Sequence, residues 1–297
     1  MGKQFPAVSG YNQIPNGYFV PEIWSGNMLK NFYEQAIASE ICNHDYEGEI
    51  KDKGDKVIIR RDPEVEIRAY QKGKRLEMQN VSDDAIEFPI QRGVYFNFPV
   101  DDVDRRQSDV PWIQKVTNNA SIKIKNYIDA TLFADVYGHV ATGNQFKNNV
   151  TLSATATDSN GIPSFLTSVM VMLDENHCPN DGGRFLIVTP AIKGLIMQNS
   201  VVNNAMHMGD KQSMLRTGYL GTFDGLKIYV TTNLYAANTY TYVLAGHTAA
   251  ITFATQITKT EKLRNPNTFG DIIRGLQVFD WKVVQPTLLC YGTVKTS

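Results

Sequence analysis

The hydrophobic and polar positions along the chain form blocks with different periods. Apolar residues spaced three to four apart predict one helix over residues 21–38 and a longer one over residues 111–137. Alternation predicts a strand region over residues 85–100, with Gly93 as a turn or bulge between its two halves. At 1.5 Å per residue the longer helix would measure about 40 Å, enough to span a whole domain.

The second half of the chain mixes shorter elements. Residues 141–161 are rich in Thr, Asn, Ser and Gly, which predicts a loop. A helix around residues 165–173, a buried strand over residues 184–188 and a helix begun by Thr189 and Pro190 follow. The remaining predicted elements are strands over residues 222–231 and 240–245, a polar linker over 259–270, and a closing pair of alternating strands over 276–284 and 287–294.

A charge-dense block over residues 47–84 separates these regions. Nine Lys or Arg and ten Asp or Glu make half of its 38 residues charged, whereas the other 259 residues carry only 40 charges. Both signs are interleaved, unlike the single-sign bias of a disordered tail. Six apolar residues keep strand-like positions within it: Val57, Ile58, Ile59, Val65, Ile67 and Ala69. The block predicts a projecting two-stranded hairpin with its turn at Lys72, Gly73 and Lys74.

Composition narrows the class of protein. The 297 residues can bury a substantial core, and 42% of them are hydrophobic. A net charge of −1 argues against affinity-driven nucleic-acid binding, because phosphate contacts require an excess of Lys and Arg. Three distant cysteines predict no disulfide framework and a reducing compartment. The sequence shows neither the apolar run of a signal peptide nor a stretch long enough to cross a membrane.

Two places in the sequence could carry chemistry. His177 and Cys178 are metal-type ligands, but no CxxC, HxxxH or HExxH spacing accompanies them. The acids of residues 101–104 lack the glycine and distal glutamate of a calcium loop. GxSxG, P-loop and GxGxxG motifs are missing too. A hydrolase using His177 or those acids is therefore the weak alternative, and no catalytic, cofactor or metal residue is assigned.

The charged hairpin leaves two interpretations open. It could be a solvated hairpin without a role, but isolated hairpins are marginal in water and exposed ion pairs contribute only about 0–1 kcal/mol each. We favour docking onto a neighbouring subunit through complementary charges. The residues assigned to this interface are Trp24, Arg60, Arg61, Glu64, Glu66, Arg68, Lys72, Lys74, Arg75, Asp101, Asp102, Asp104, Arg105 and Arg106.

Six strings, in order and spacing, resemble the family of tailed-bacteriophage major capsid proteins. The resemblance covers nearly the whole chain, although no single string is diagnostic. The strings are PEIWSGNML (21–29), NHDYEGEIKDKGDKVII (43–59), YFNFPVDDVDRRQSD (95–109), RFLIVTPAIKGLIM (184–197), GTFDGLKIYVTTNL (221–234) and GLQVFDWKVVQPTLL (275–289).

This resemblance implies an α+β fold of the Hong Kong phage type. Its parts would be an N-terminal arm with a helix (1–46), an extended β-hairpin loop (47–84), a peripheral domain with a long spine helix (85–144 and 251–297), and an axial α/β domain (145–250). Hexamers and pentamers would form an icosahedral head around double-stranded DNA, without sequence-specific binding. The protein would lie in the virion after assembly in the cytoplasm of the bacterial host.

The resemblance also implies partners and leaves one alternative of the same fold. No scaffolding segment precedes Pro21, so a separate scaffolding protein is expected, together with a portal and a possible decoration protein. In a cross-linked branch of the family a hairpin lysine bonds to a distant asparagine. Lys72 or Lys74 could serve, but the partner is not identifiable and no cross-link is assigned. The alternative is the shell of a non-viral nanocompartment that holds a cargo enzyme.

Overall fold

The computed structural model describes residues 37–45, 56–60, 65–75, 78–79, 85–101, 112–154, 160–199, 222–266 and 269–296. These residues combine helices with sheets of two, three and seven strands, so the predicted α+β class is confirmed. In chain order the elements are α1 Ala38–Ile41, β1 Lys56–Arg60, β2 Ala85–Pro89, β3 Arg92–Asp101, α2 Trp112–Val136, β4 Gln145–Leu152, α3 Ile162–Glu175, β5 Arg184–Val188, α4 Pro190–Gln198, β6 Thr222–Phe223, β7 Leu226–Val230, β8 Ala236–Ala237, β9 Tyr240–His247, β10 Ile251–Arg264, β11 Gly270–Val283 and β12 Leu289–Thr296.

The seven-stranded sheet lies between two core clusters. Its strands run in the order β4, β12, β9, β5, β7 and β6, with β8 paired to β9. All of β5 is buried, and successive side chains point to opposite faces. Leu186 and Val188 join one cluster, whereas Phe185 and Ile187 join the other. The apolar run at this strand reflects a sheet that is covered on both sides.

Helices α3 and α4 cover the first face of this sheet, and both confirm their sequence predictions. Helix α4 starts at Pro190, and the hydroxyl of the preceding Thr189 accepts a hydrogen bond from the Ile192 N–H at 3.4 Å. Helix α3 buries a helical stripe against the sheet, formed by Ile162, Phe165, Leu166, Val169, Met170 and Leu173.

The second face is covered by α1, α2, β10 and β11. Leu132, Phe133 and Val136 near the end of α2 pack in one cluster with Phe279 and Trp281 of β11. Helix α2 has 25 residues and coincides with the helix predicted over residues 111–137. At 1.5 Å per residue it measures about 38 Å.

Strands β10, β11 and β3 form a separate antiparallel sheet, and β3 shows the predicted alternation. The turn or bulge predicted at Gly93 is wrong, because this residue lies inside β3 opposite Val278, in a register without a shift. The break falls at Ile90 and Gln91 instead. There the Gln91 N–H donates to a carboxylate oxygen of Asp280 at 3.1 Å rather than continuing the strand pairing.

Two polar stretches were wrongly predicted as irregular. Within residues 141–161, β4 pairs in parallel with β12 and forms one edge of the seven-stranded sheet. An edge strand needs little apolar patterning, and Asn149 (φ 53°) interrupts its regularity. The linker predicted over 259–270 begins only after β10. The charged end of β10 is a strand because it pairs with β11 as far as Arg264 opposite Asp271, and Arg274 and Glu261 form an ion pair across it at 2.6 Å.

The prediction that the last two strands pair with each other is also wrong. Strand β11 lies between β10 and β3, whereas β12 lies between β4 and β9 in the other sheet. The two alternating runs therefore serve different sheets. The helix predicted over residues 21–38 falls outside the described residues, except for its last two positions.

The three cysteines, Cys42, Cys178 and Cys290, are free and buried, so the prediction of no disulfide framework is confirmed. Burial raises the pKa of the Cys42 and Cys290 thiols far above the usual range. Because the thiolate is the reactive form, both side chains serve as small apolar core residues.

The buried carboxylate of Asp129 holds the start of the described chain against α2. It accepts hydrogen bonds from the Ile37 N–H at 2.6 Å and from the Ala38 N–H at 3.2 Å. We expect Asp129→Ala to lower the free energy of unfolding by about 2–4 kcal/mol, because it leaves two buried donors without these acceptors. Asp129→Asn keeps one carbonyl oxygen and should cost less. Urea unfolding followed by circular dichroism measures both, and equal stability of Asp129→Ala and wild type would contradict this role.

Candidate functional site: the charged hairpin and its base

The described pieces of the charged block share one antiparallel register. Strand β1 pairs with β2 from Lys56 opposite Pro89 to Arg60 opposite Ala85. Farther out, the Glu66 N–H donates to the Gln79 side-chain oxygen at 2.9 Å. At the end, the Lys74 N–H donates to the Gln71 carbonyl at 3.2 Å. In each of these pairs the two residues are equally far from the bond between Lys72 and Gly73, so the pieces belong to one hairpin.

The turn lies where the sequence predicted it. Lys72 and Gly73 are its central residues, and Gly73 has a φ of +86°. A positive φ at the third residue of a four-residue turn favours glycine, because a side chain there would be strained. The hairpin thus ends in a tight two-residue tip.

The base of the hairpin is anchored by a small hydrophobic cluster. Ile59 and Phe88 are buried, and they pack with Ile90 and with Ala254 of β10. Val278 of β11 also contacts this cluster. The cluster therefore attaches the two-stranded sheet to the three-stranded one.

A polar cluster lies beside that anchor; we call it the base joint and define it as Gln91, Arg92, Asp135, Asp280 and Trp281. Arg92 pairs with Asp135 of α2 at 3.0 Å and with Asp280 of β11 at 3.4 Å. Its guanidinium lies 3.8 Å from the centre of the Trp281 ring, whose indole N–H donates to Asp135 at 2.8 Å. Gln91 completes the joint through its N–H bond to Asp280. Arg92 thus connects β3 to both helix α2 and strand β11.

The electrostatics of the base joint keep Asp135 ionised. Burial alone would raise the pKa of Asp135, but hydrogen bonds from Trp281 and Arg92 and the charge of Arg92 lower it below its usual value. A cleft of about 310 Å³ opens beside these groups and is bounded by Phe88 and Pro286. The joint is therefore a charged, hydrogen-bonded contact at the edge of a cleft rather than a dry core.

The structure places part of the predicted interface. Arg60, Lys72, Lys74 and Arg75 are exposed on the hairpin. The backbone of Asp101 ends β3 opposite Gly270. The other predicted residues that lie outside the described part of the chain are Trp24, Arg61, Glu64, Asp102, Asp104, Arg105 and Arg106.

Two of the predicted interface residues, Glu66 and Arg68, form an ion pair with each other within the chain. The two side chains meet at 3.0 Å and are 64% and 51% exposed. At such exposure an ion pair contributes about 0–1 kcal/mol, so it does little to hold the arm. It instead leaves that part of the hairpin almost neutral, while Lys72, Lys74 and Arg75 concentrate positive charge at the tip.

Sequence reasoning missed the base joint, although two of its residues carry a signal. Asp280 interrupts the apolar run from Val278 to Trp281. Asp135 stands in the last turn of α2, where a negative charge opposes the helix dipole and requires a compensating partner. Arg92 has no such local signal, because only the fold brings it to both acids.

The weak hydrolase candidates come together in no described cluster. His177 lies in the loop after α3 with a φ of 55°. A separate Asp181–His247 pair at 2.8 Å holds that loop, but the other His247 nitrogen accepts the Ala249 N–H, so the ring is engaged on both sides. Within the described ranges there is no group of three or more His, Cys, Asp or Glu placed to hold a metal ion. The described helices also include none with the length and apolar character needed to cross a membrane.

Solved structures with the same fold come from phages and from a GTA particle. A structure from Mycobacterium phage Che8 is 24% identical and has a TM-score of 0.75, with 93% of this chain and 97% of that chain covered. The capsid structure of cyanophage P-SCSP1u is 14% identical, with a TM-score of 0.69 and 94% of both chains covered. The capsid of an empty GTA particle is 10% identical, with a TM-score of 0.66 and coverages of 95% and 98%.

No protein-family model and no curated protein matches the chain. At these identities the likeness concerns the fold, and it extends over almost the whole of each chain. The chain therefore has a phage capsid fold, as the resemblance of its sequence implied.

The base joint makes a pH-dependent prediction. The lowered pKa of Asp135 means that its contribution to stability is present above the unfolded value of about 4 and is lost as the pH falls below it. Asp135→Asn should therefore lower the free energy of unfolding by about 1–2 kcal/mol at pH 7, a modest figure because the side chain is one-third exposed. The difference from wild type should shrink toward pH 3.

Thermal unfolding followed by circular dichroism between pH 3 and 7 measures this dependence. Trp281→Phe is the matched control, because it keeps an aromatic ring beneath Arg92 but removes the N–H bond to Asp135. Trp281 is also buried in the core, so this variant loses packing as well, and the loss of packing should persist at pH 3. Only the part of its difference from wild type that comes from the lost bond to Asp135 should shrink toward pH 3. A constant difference between Asp135→Asn and wild type across this range would contradict the charged joint.

Proposed function

We propose that this chain is the major capsid protein of a tailed bacteriophage. Its copies assemble as hexamers and pentamers into an icosahedral head that encloses double-stranded DNA. Assembly takes place in the cytoplasm of the bacterial host, and the protein ends in the virion. It acts as a structural subunit, so it needs no catalytic residue.

The observation that carries this proposal is the capsid fold over almost the entire chain. The likeness to P-SCSP1u covers 94% of both chains. The hairpin supports the same function. It is fixed at its base by Arg92 and Phe88, yet Lys72 and its neighbours at the tip are exposed. Such a projection is suited to reaching another subunit.

Within this proposal the chain divides as the resemblance implied. The N-terminal arm takes residues 1–46, the hairpin 47–84, the axial domain 145–250, and the peripheral domain 85–144 with 251–297. Two core clusters on opposite faces of the seven-stranded sheet support an axial and a peripheral side. Strand β12 passes from the peripheral segment into the axial sheet, between β4 and β9.

The proposed partners are the proteins that a phage head requires for its assembly and for the packaging of DNA. Copies of this chain form the shell, a separate scaffolding protein directs its curvature, and a portal occupies one vertex. A decoration protein is a further proposed partner. The net charge of −1 supports a shell that confines DNA without binding it tightly.

Expression of the full chain, alone and with its scaffolding protein, tests the proposal. Electron microscopy should show closed shells with capsomers of six and five subunits, and phage particles should contain nuclease-protected DNA in shells of this protein. Shells that hold a protein cargo and no DNA would favour the nanocompartment instead. Only monomers in every preparation, with the folded state verified by circular dichroism, would count against a shell protein.

A charge reversal at the tip tests the proposed docking by charge. Lys72→Glu with Lys74→Glu should reduce the yield of particles about tenfold, because both exposed cations would then oppose the acids they meet. The isolated subunit should keep its melting temperature, since neither residue belongs to a core. Lys72→Arg with Lys74→Arg keeps the charge and should assemble as wild type does. A normal particle yield from the Glu variant would show that Lys72 and Lys74 do not contribute to the interface.

A further inference from the structure

Four tyrosine rings form one cluster where the end of helix α2 meets the seven-stranded sheet. Tyr137 follows α2, Tyr235 precedes β8, Tyr242 lies in β9 and Tyr291 lies in β12. The Tyr137 ring centre is 4.9 Å from that of Tyr235 and 4.7 Å from that of Tyr242. Tyr242 is in turn 5.2 Å from Tyr235 and 6.2 Å from Tyr291. We call these four residues the tyrosine cluster.

The backbone holds the central rings of the tyrosine cluster in place. The Tyr242 N–H donates to the Tyr235 carbonyl at 2.9 Å, and β8 pairs with β9 directly after Tyr235. On the other side, the buried Val136 packs the last turn of α2 into the core immediately before Tyr137. The fold therefore brings together rings from segments that are distant in the sequence.

The cluster lies at the border between the core and solvent, since all four tyrosines are half-buried. Tyrosine suits such a border, because its ring is apolar and its hydroxyl is polar. Contact between the phenols also changes their chemistry. Burial, a side-chain hydrogen bond with Tyr235 and the nearby phenol of Tyr242 raise the pKa of Tyr137 above its usual value. Tyr137 is therefore a neutral phenol in contact with two further phenols.

Phenols in contact can react with each other when they are oxidised. A one-electron oxidant removes an electron from a tyrosine, whose phenolic proton passes to water, and a phenoxyl radical remains. Two such radicals join through the ring carbons next to their oxygens, and the hydrogens on those carbons then move to the oxygens. In total two tyrosines lose two electrons and two protons and gain one carbon–carbon bond, while the oxidant is reduced by the same two electrons.

We propose that the tyrosine cluster is a site of oxidative cross-linking, at which Tyr137 couples to Tyr242 under a one-electron oxidant of the photosensitiser or peroxidase class. The Tyr242 ring is the nearer one and is tilted by 46° against that of Tyr137, whereas the Tyr235 ring is stacked at 14°. Coupling joins ring edges rather than ring faces, so the tilted pair needs the smaller movement. The new bond connects the end of α2 to β9 within one chain, and this inference does not depend on the proposed function.

Photo-oxidation of the dilute, folded full chain tests the site. Tris(bipyridine)ruthenium(II) supplies the oxidant under visible light, and persulfate accepts the two electrons as it becomes two sulfate ions. We expect dityrosine fluorescence from protein that still migrates as a monomer on a denaturing gel. Mass spectrometry should find a peptide pair that joins Tyr137 to Tyr242. Tyr137→Phe and Tyr242→Phe, which keep the rings, should each lower the dityrosine yield about fivefold, whereas Tyr235→Phe should keep at least about half of it.

Exposed tyrosines outside the cluster provide the control. Tyr70, Tyr95 and Tyr127 are 73%, 77% and 57% exposed, so they would react first if access to the oxidant alone decided the outcome. Tyr127→Phe should leave the yield unchanged, and unfolding in urea should remove the preference for Tyr137. Cross-links mainly through Tyr70 or Tyr95 would overturn the inference. A full dityrosine yield from Tyr137→Phe with a wild-type circular dichroism spectrum would do the same.

The stability of the oxidised protein gives a second readout. A bond between residues 137 and 242 closes a long loop in the unfolded chain, so the cross-linked protein should melt about 5 °C or more above the untreated protein. Tyr137→Phe treated in the same way should show no such rise. An unchanged melting temperature in cross-linked wild type would contradict a bond between α2 and β9.

Discussion

A two-stranded hairpin has no interior, and this constraint governs how the charged block can be used. Its two strands satisfy each other's backbone groups, but neither of its faces can be buried by the hairpin itself. In this chain a face of the hairpin is buried only at its base, within the described residues. Phe88 and Ile59 enter a cluster with the three-stranded sheet, and Arg92 ties the following strand to Asp135 and Asp280. Beyond that base, the described residues 65–75 and 78–79 are all exposed.

The rest of the molecule gives the base joint a rigid support. Asp135 lies in the last turn of α2, one residue before the buried Val136, and Trp281 lies in the same core cluster as Phe279. A movement of the hairpin base would therefore disturb contacts that already pack the helix against the seven-stranded sheet. Since packed interiors resist small displacements, the core holds the base of the hairpin, strands β1 and β2, in place.

Local sequence patterns were sufficient to predict an element whose structure depends mainly on its own residues. Helix α3 and strand β5 are apolar because they are buried, and the tip needs Gly73 because its φ is positive. Each of these is visible in a window of a few residues. The α+β class and the capsid fold were implied by the resemblance of six strings to the phage capsid family.

Patterns failed where a partner distant in the sequence decided the structure. The sequence of β4 is polar and predicts an irregular segment. It is a strand because it pairs with β12, which lies more than a hundred residues later in the chain. The charged end of β10 is a strand because β11 pairs with it along its whole length, and Arg274 of β11 neutralises Glu261 there. The base joint unites residues 92, 135 and 280, so only the folded chain defines it.

That density of charge has a physical consequence for like copies that must approach each other. A block with one dominant sign would repel the same block on every neighbour, and the repulsion would grow with each copy added. Residues 47–84 instead hold nine cations and ten anions, so the arms are almost neutral and still well solvated. For the proposed shell, near neutrality removes this repulsion, so that many weak contacts could accumulate without any single strong bond.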